Sequence, residues 1–134
     1  MRIVSGSGFA ILLAGAAMAQ PLSPPGFTQA QAARGEQAYM SNCASCHGDR
    51  LDNGGGDGAP NLVGAAFVQG WGAKPLSELY DYTSANMPAS SPASLPPQTY
   101  ADIIAFLLSK NGVAAGSTEL PPDEAKLKTL SGPH

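Results

Sequence analysis

The stretch PQTYADIIAFLLSKNG, from Pro97 to Gly112, carries the strongest periodicity in the chain. Tyr100, Ile103, Ile104, Leu107 and Leu108 fall at i, i+3, i+4, i+7 and i+8, which is one stripe of an α-helix. Pro97 stands before the stripe and Asn111-Gly112 after it, so start, stripe and stop agree. Ala105 and Phe106 widen the apolar surface, giving this helix a broad side to bury. Pro96 occupies the place where Ser or Asp usually caps, and the missing cap bond costs about 1 kcal/mol.

Working outward, Thr28 followed three residues later by Gln31 forms a capping-box pattern, so a helix is predicted to begin at Thr28. Ala30, Ala32, Ala33, Gln37, Ala38 and Met40 continue it. Gly35 and Tyr39 lie four apart on one face, and the absent side chain at Gly35 lets another backbone approach. A third helix is predicted from Pro75 to about Ser84, with Leu76, Leu79, Tyr80 and Thr83 at helical spacing. No stretch alternates convincingly with period two. The expected class is therefore all-α, with three main helices and an irregular loop from Gly48 to Gly72 that holds eight of the sixteen glycines. A loop of that length is at home in a compact domain only if it wraps something. Its acidic part, Asp49 to Asp57, does not follow the EF-hand calcium pattern, because Leu51 stands where an oxygen ligand is needed.

The 134 residues suit one small domain, with 12 Pro, 16 Gly and only 13% charged side chains. No apolar run approaches the roughly 20 residues of a membrane helix, and no cluster of Lys and Arg is present to hold a phosphate backbone. Neither a membrane span nor nucleic acid is expected. The formal net charge of −3 favours a basic patch on a partner. Met1 to Ala19 reads as an export signal, with Arg2, an apolar run through Phe9 to Ala14, and Ala17-Met18-Ala19 before the cut. Residues 20–27, with Pro21, Pro24 and Pro25, form a linker; 28–112 form the domain. Residues 113–134 are an extension in which Asp123 to Leu130 is predicted as a short helix.

The only two cysteines lie in Cys43-Ala44-Ser45-Cys46-His47, the C-x-x-C-H attachment sequence of c-type haem. Two thiols on one helical turn add to the two haem vinyl groups, and the next residue offers an imidazole to the iron. The first helix is expected to end there, its last turn delivering all three groups. Structural zinc wants four ligands, and the one other histidine is His134. A redox dithiol wants a βαβ setting, and a Cys43–Cys46 disulfide would close too small a loop to stabilise much.

With Gly35 and Tyr39 ahead of this motif, Gly58-Ala59-Pro60-Asn61-Leu62 and Asn86-Met87-Pro88 after it, and the last helix with Phe106, residues from about Gln29 to Gly112 resemble a class I mono-haem cytochrome c. Leu79-Tyr80-Asp81-Tyr82, Met87-Pro88 and Glu119-Leu120-Pro121 are similar to bacterial cytochromes that work beside quinoprotein dehydrogenases. The resemblance implies one covalent haem c on Cys43 and Cys46, with His47 as proximal and Met87 as distal iron ligand. It implies that the Pro60 carbonyl orients His47, and that Gly35 and Tyr39 meet Ile103 and Phe106 where the first and last helices cross. Trp71 and Tyr80 either address haem propionates or serve as plain core aromatics.

The function this implies is periplasmic electron transfer, with no reaction at the metal. The expected partners are redox proteins, a quinoprotein dehydrogenase as donor and a terminal oxidase as acceptor. Two other readings stay open: a haem sensor or peroxidase-like protein in which Met87 is displaced, and a permanent cytochrome subunit of a dehydrogenase.

Overall fold

The computed structural model describes residues 19–52 and 58–134, so the export signal lies outside the described residues except for Ala19. Six helices are described: α1 (Gln29–Asn42), α2 (Ala44–His47), α3 (Ala65–Trp71), α4 (Leu76–Asn86), α5 (Pro97–Lys110) and α6 (Glu124–Leu127). Among the described residues there is no strand, only isolated bridges pairing Ser23 with Leu130 and Pro75 with Ser131. The all-α class stands.

The framework is the crossing of α1 and α5. Every member of the α5 stripe is buried, and Ala101 and Ala105 between them are buried as well. At Gly35 the backbones come so close that an added Cβ would lie 1.8 Å from the Asp102 carbonyl oxygen and 3.0 Å from Cβ of Phe106. One turn on, the Tyr39 and Phe106 rings meet at 5.3 Å between centroids, tilted by 46°. Such a pair adds about 0.5–1.5 kcal/mol beyond the area it buries. α4 packs on α5, and α6 on α4.

Four local features differ from the sequence reading. Thr28 does cap α1, accepting from the Gln31 backbone N–H at 3.1 Å, but the Gln31 side chain does not reach back. It is fully buried and turned to the tail, donating to the Leu120 carbonyl at 2.8 Å and accepting from the Leu120 N–H at 2.7 Å. Two buried backbone groups outcompete the N–H of half-buried Thr28 for the amide. Second, the loop from Gly48 to Gly72 is not irregular throughout: α3 occupies its end, begun at Gly64 with φ +94°. Ala65 and Ala66 favour helix, but Phe67 is the one buried residue, so seven residues show no stripe. Third, the first helix breaks at Cys43 (φ −127°, ψ −34°) before the separate turn α2. Fourth, the helix in the extension is only α6, capped by the Asp123 carboxylate on the Lys126 N–H at 2.9 Å.

The segments flanking the domain pack onto it and onto each other. Phe27 and Leu127 are fully buried and Leu120 nearly so. Ser23 donates to the Thr129 carbonyl and accepts from the Ser131 N–H, both at 2.8 Å, and the Leu76 N–H donates to Leu130 at 2.8 Å. At Gly132 a Cβ would come within 2.1 Å of the Trp71 carbonyl oxygen, so the tail runs backbone to backbone against the end of α3. Arg34 ties α1 to α5 and to the tail, donating to Asp102 at 3.0 Å and to Glu119 at 2.9 Å. Those two carboxylates raise its guanidinium pKa above an already high value.

Candidate haem-binding site

Cys43, Cys46 and His47 are held by the geometry of a broken helix. The Cys43 N–H still closes the last turn of α1 on the Tyr39 carbonyl at 2.8 Å, while its own carbonyl accepts from His47 at 3.0 Å and starts α2. Cys43 is half-buried and Cys46 exposed. Burial pushes the Cys43 thiol up to about 11, with the neighbouring Cys46 adding to the effect. Gly48 ends the turn at φ +82°, and its carbonyl accepts the Tyr39 hydroxyl at 2.7 Å. α1 thereby holds the motif at Cys43 and just beyond His47.

His47 is buried, and its Nδ1 lies 2.9 Å from the Pro60 carbonyl oxygen. A carbonyl only accepts, so Nδ1 carries the proton and Nε2 keeps its lone pair. That is the tautomer of a metal-ligating imidazole oriented by its surroundings. The Pro60 segment is anchored in turn. The Leu62 N–H donates to Leu51 at 2.8 Å, and Leu51, almost fully buried at φ +63°, serves the core. Asn111, just after α5, donates to the Leu62 carbonyl at 2.9 Å and accepts from the Gly64 N–H at 3.1 Å. The sequence marks Asn111 only as a helix stop; its second task depends on a loop more than forty residues away.

Met87 follows the last turn of α4, its N–H donating to Thr83 at 2.9 Å, and is partly buried. Its carbonyl accepts the Tyr100 hydroxyl at 2.7 Å. Tyr80 is buried and its hydroxyl donates to the Pro97 carbonyl at 3.2 Å. Burial, with Asp81 nearby, raises its phenol pKa. Trp71 is half-buried, its ring 5.8 Å from that of exposed Tyr82 and tilted by 50°, with the Lys74 ammonium 4.7 Å from its ring centroid.

A histidine held with Nε2 free, one residue after a C-x-x-C turn, on two helices crossing at a glycine, has a counterpart among known proteins. The family described as cytochrome C oxidase, cbb3-type, subunit III matches residues 30–107. The chain belongs to that family. The fold of this cytochrome is the small all-α cytochrome c fold, and a cytochrome c domain implies a c-type haem, its iron and redox partners. A chain of the crystal structure of the sulfane dehydrogenase SoxCD from Paracoccus pantotrophus is similar to it. The two are 28% identical with a TM-score of 0.57, over 96% of this cytochrome and 68% of that chain. The comparison with curated proteins gave no match. The family match leaves out the segments before α1 and after α5, whereas the SoxCD likeness takes in nearly the whole chain. No helix among the described residues is long and apolar enough to cross a membrane.

The residues present have the chemistry a c-type haem would need: two thiols that could attach it, and an imidazole nitrogen and a thioether that could serve as donors to its iron.

Proposed function

We propose that this cytochrome is an exported, periplasmic one-electron carrier with a single haem bound through Cys43 and Cys46 and ligated by His47 and Met87. The observation that carries the proposal is the His47 Nδ1 to Pro60 contact at 2.9 Å, which leaves Nε2 as the donor atom on the residue that follows the two thiols. The bound haem supplies reversible one-electron chemistry at iron. The protein's part would be to hold His47 and Met87 in place. Pro60 fixes the imidazole plane, and Asn111 and Leu51 hold the Pro60 segment. The Met87 thioether is soft, which favours ferrous iron and raises the potential above that of bis-histidine ligation. With His47 and Met87 both bound to it, the iron would change oxidation state with little rearrangement and would offer no place to a substrate.

Absorption spectra of the purified protein, oxidised, reduced and reduced under carbon monoxide, test this reading. A weak far-red methionine-to-ferric band and no carbon monoxide shift are expected. A ready shift in the native protein would replace the carrier with a ligand-binding haem protein. The electron donor we assign is a periplasmic quinoprotein dehydrogenase, and the acceptor a terminal oxidase. Reduction by the dehydrogenase in stopped flow is the expected result, and its failure removes that assignment.

A second reading, a permanent dehydrogenase subunit, is favoured by the likeness to SoxCD over 96% of the chain, both flanking segments included. Gel filtration of a native periplasmic extract separates the two. A carrier elutes near its own mass, a subunit with its enzyme.

A further inference from the structure

Among the residues the periodicity of α5 reads as core, Tyr100 does something an apolar side chain could not. It is 3% exposed. Its hydroxyl donates to the Met87 carbonyl at 2.7 Å and accepts from the Leu95 N–H at 3.3 Å. One oxygen on a packed helix thus joins the two ends of the loop from Met87 to Leu95. Beyond the Met87 N–H on Thr83 and the packing of Leu95 against the core, the loop has little else to hold it. Ala89 to Ser94 are all exposed, and the loop's own backbone bond is Ser91 to Pro88 at 2.8 Å. Phenylalanine would fill the same space in the stripe but leave a part-buried carbonyl and N–H without this partner.

We infer that Tyr100 is the positioning residue for Met87, its hydroxyl closing the 87–95 loop so that the thioether stays on the iron. The inference rests on Met87 being the distal ligand. An iron–thioether bond opens when the loop carrying it swings away, and the loop swings away less often while its two ends share one buried hydroxyl. Losing a hydroxyl that makes two bonds raises the population of the methionine-off state roughly tenfold, the shift in equilibrium that a pair of net hydrogen bonds carries.

The test is holo Tyr100→Phe beside holo wild type, with Ser109→Ala as a control that removes another α5 hydroxyl bond, to Phe106 at 2.8 Å, away from the loop. In Tyr100→Phe the far-red methionine band should weaken. Ferrous carbon monoxide binding should tighten roughly tenfold, and rising denaturant should abolish the band before helicity. Ser109→Ala should behave as wild type in all three. A Tyr100→Phe protein with the wild-type band and carbon monoxide affinity, merely less stable, overturns the positioning role and leaves Met87 ligation intact. A wild type that has no such band and binds carbon monoxide freely overturns both. Should Tyr100→Phe yield no holo protein, hydrogen exchange at the Leu95 amide of wild type decides. Cyanide displacing Met87 from ferric iron should speed that exchange, and an unchanged rate refutes the coupling.

Discussion

Gly35→Ala tests the helix crossing on which the site is built, and the sign of the result is informative. In an exposed helix interior, replacing Gly by Ala stabilises by about 1 kcal/mol. At this position the new Cβ would sit 1.8 Å from the Asp102 oxygen, 1.6 Å inside the 3.4 Å where ordinary contact begins. The obstacle is backbone in the middle of α5, which cannot turn aside as a side chain can, so α1 and α5 must separate. Overpacking of this kind costs about 1–3 kcal/mol and sometimes more, and moving the crossing also loosens the Tyr39–Phe106 contact. A net loss of about 2 kcal/mol is expected, or about 10 °C in Tm for a domain of this size. The assay is thermal and guanidinium unfolding of the holo protein followed by helicity, with the midpoint potential measured in parallel because α1 leads directly into Cys43. A Tm equal to or above wild type would show that propensity alone governs the site and that the close approach of Gly35 to Asp102 is wrong.

Met87→Ala should remove the far-red band, lower the midpoint potential and open ferrous iron to carbon monoxide; an unchanged potential would rule out Met87 as a ligand. Asn111→Ala removes a side chain bonded to Leu62, Gly64 and, at 2.8 Å, Leu107. A cost of about 2 kcal/mol is expected in denaturant midpoint. Gln31→Ala should free the tail, since both Leu120 backbone bonds are lost, and limited proteolysis should then cut within residues 113–122, which stay resistant in wild type. Burial, with negative charge at Asp49 and Asp52, raises the Tyr39 phenol pKa above its ordinary value of 10.0. Its contribution to stability is therefore complete below pH 10 and declines above it, by about 1.4 kcal/mol per pH unit once the unfolded phenol has ionised, until the folded phenol also ionises. Tyr39→Phe should flatten that alkaline slope in denaturation measured from pH 9 to 11.

The parts legible in sequence are those with a short period or a fixed spacing. The α5 stripe, the Thr28 cap and the C-x-x-C-H order are each set within a dozen residues, because helical geometry and haem attachment both act over one or two turns. The pairing of Gly35 and Tyr39 with α5 was legible through the family resemblance. Tertiary context decided the rest. α3 forms on one buried phenylalanine, too little to make a pattern. Gln31 leaves its capping box because two buried groups of Leu120 need it more. Tyr100 and Asn111 look like a core residue and a helix stop, yet their polar atoms serve loops that the fold brings to either end of α5. Local spacing dictates which residues can bear the chemistry; which polar groups hold those residues still is set by burial, since an unpaired backbone group inside the protein takes whatever partner the packing delivers.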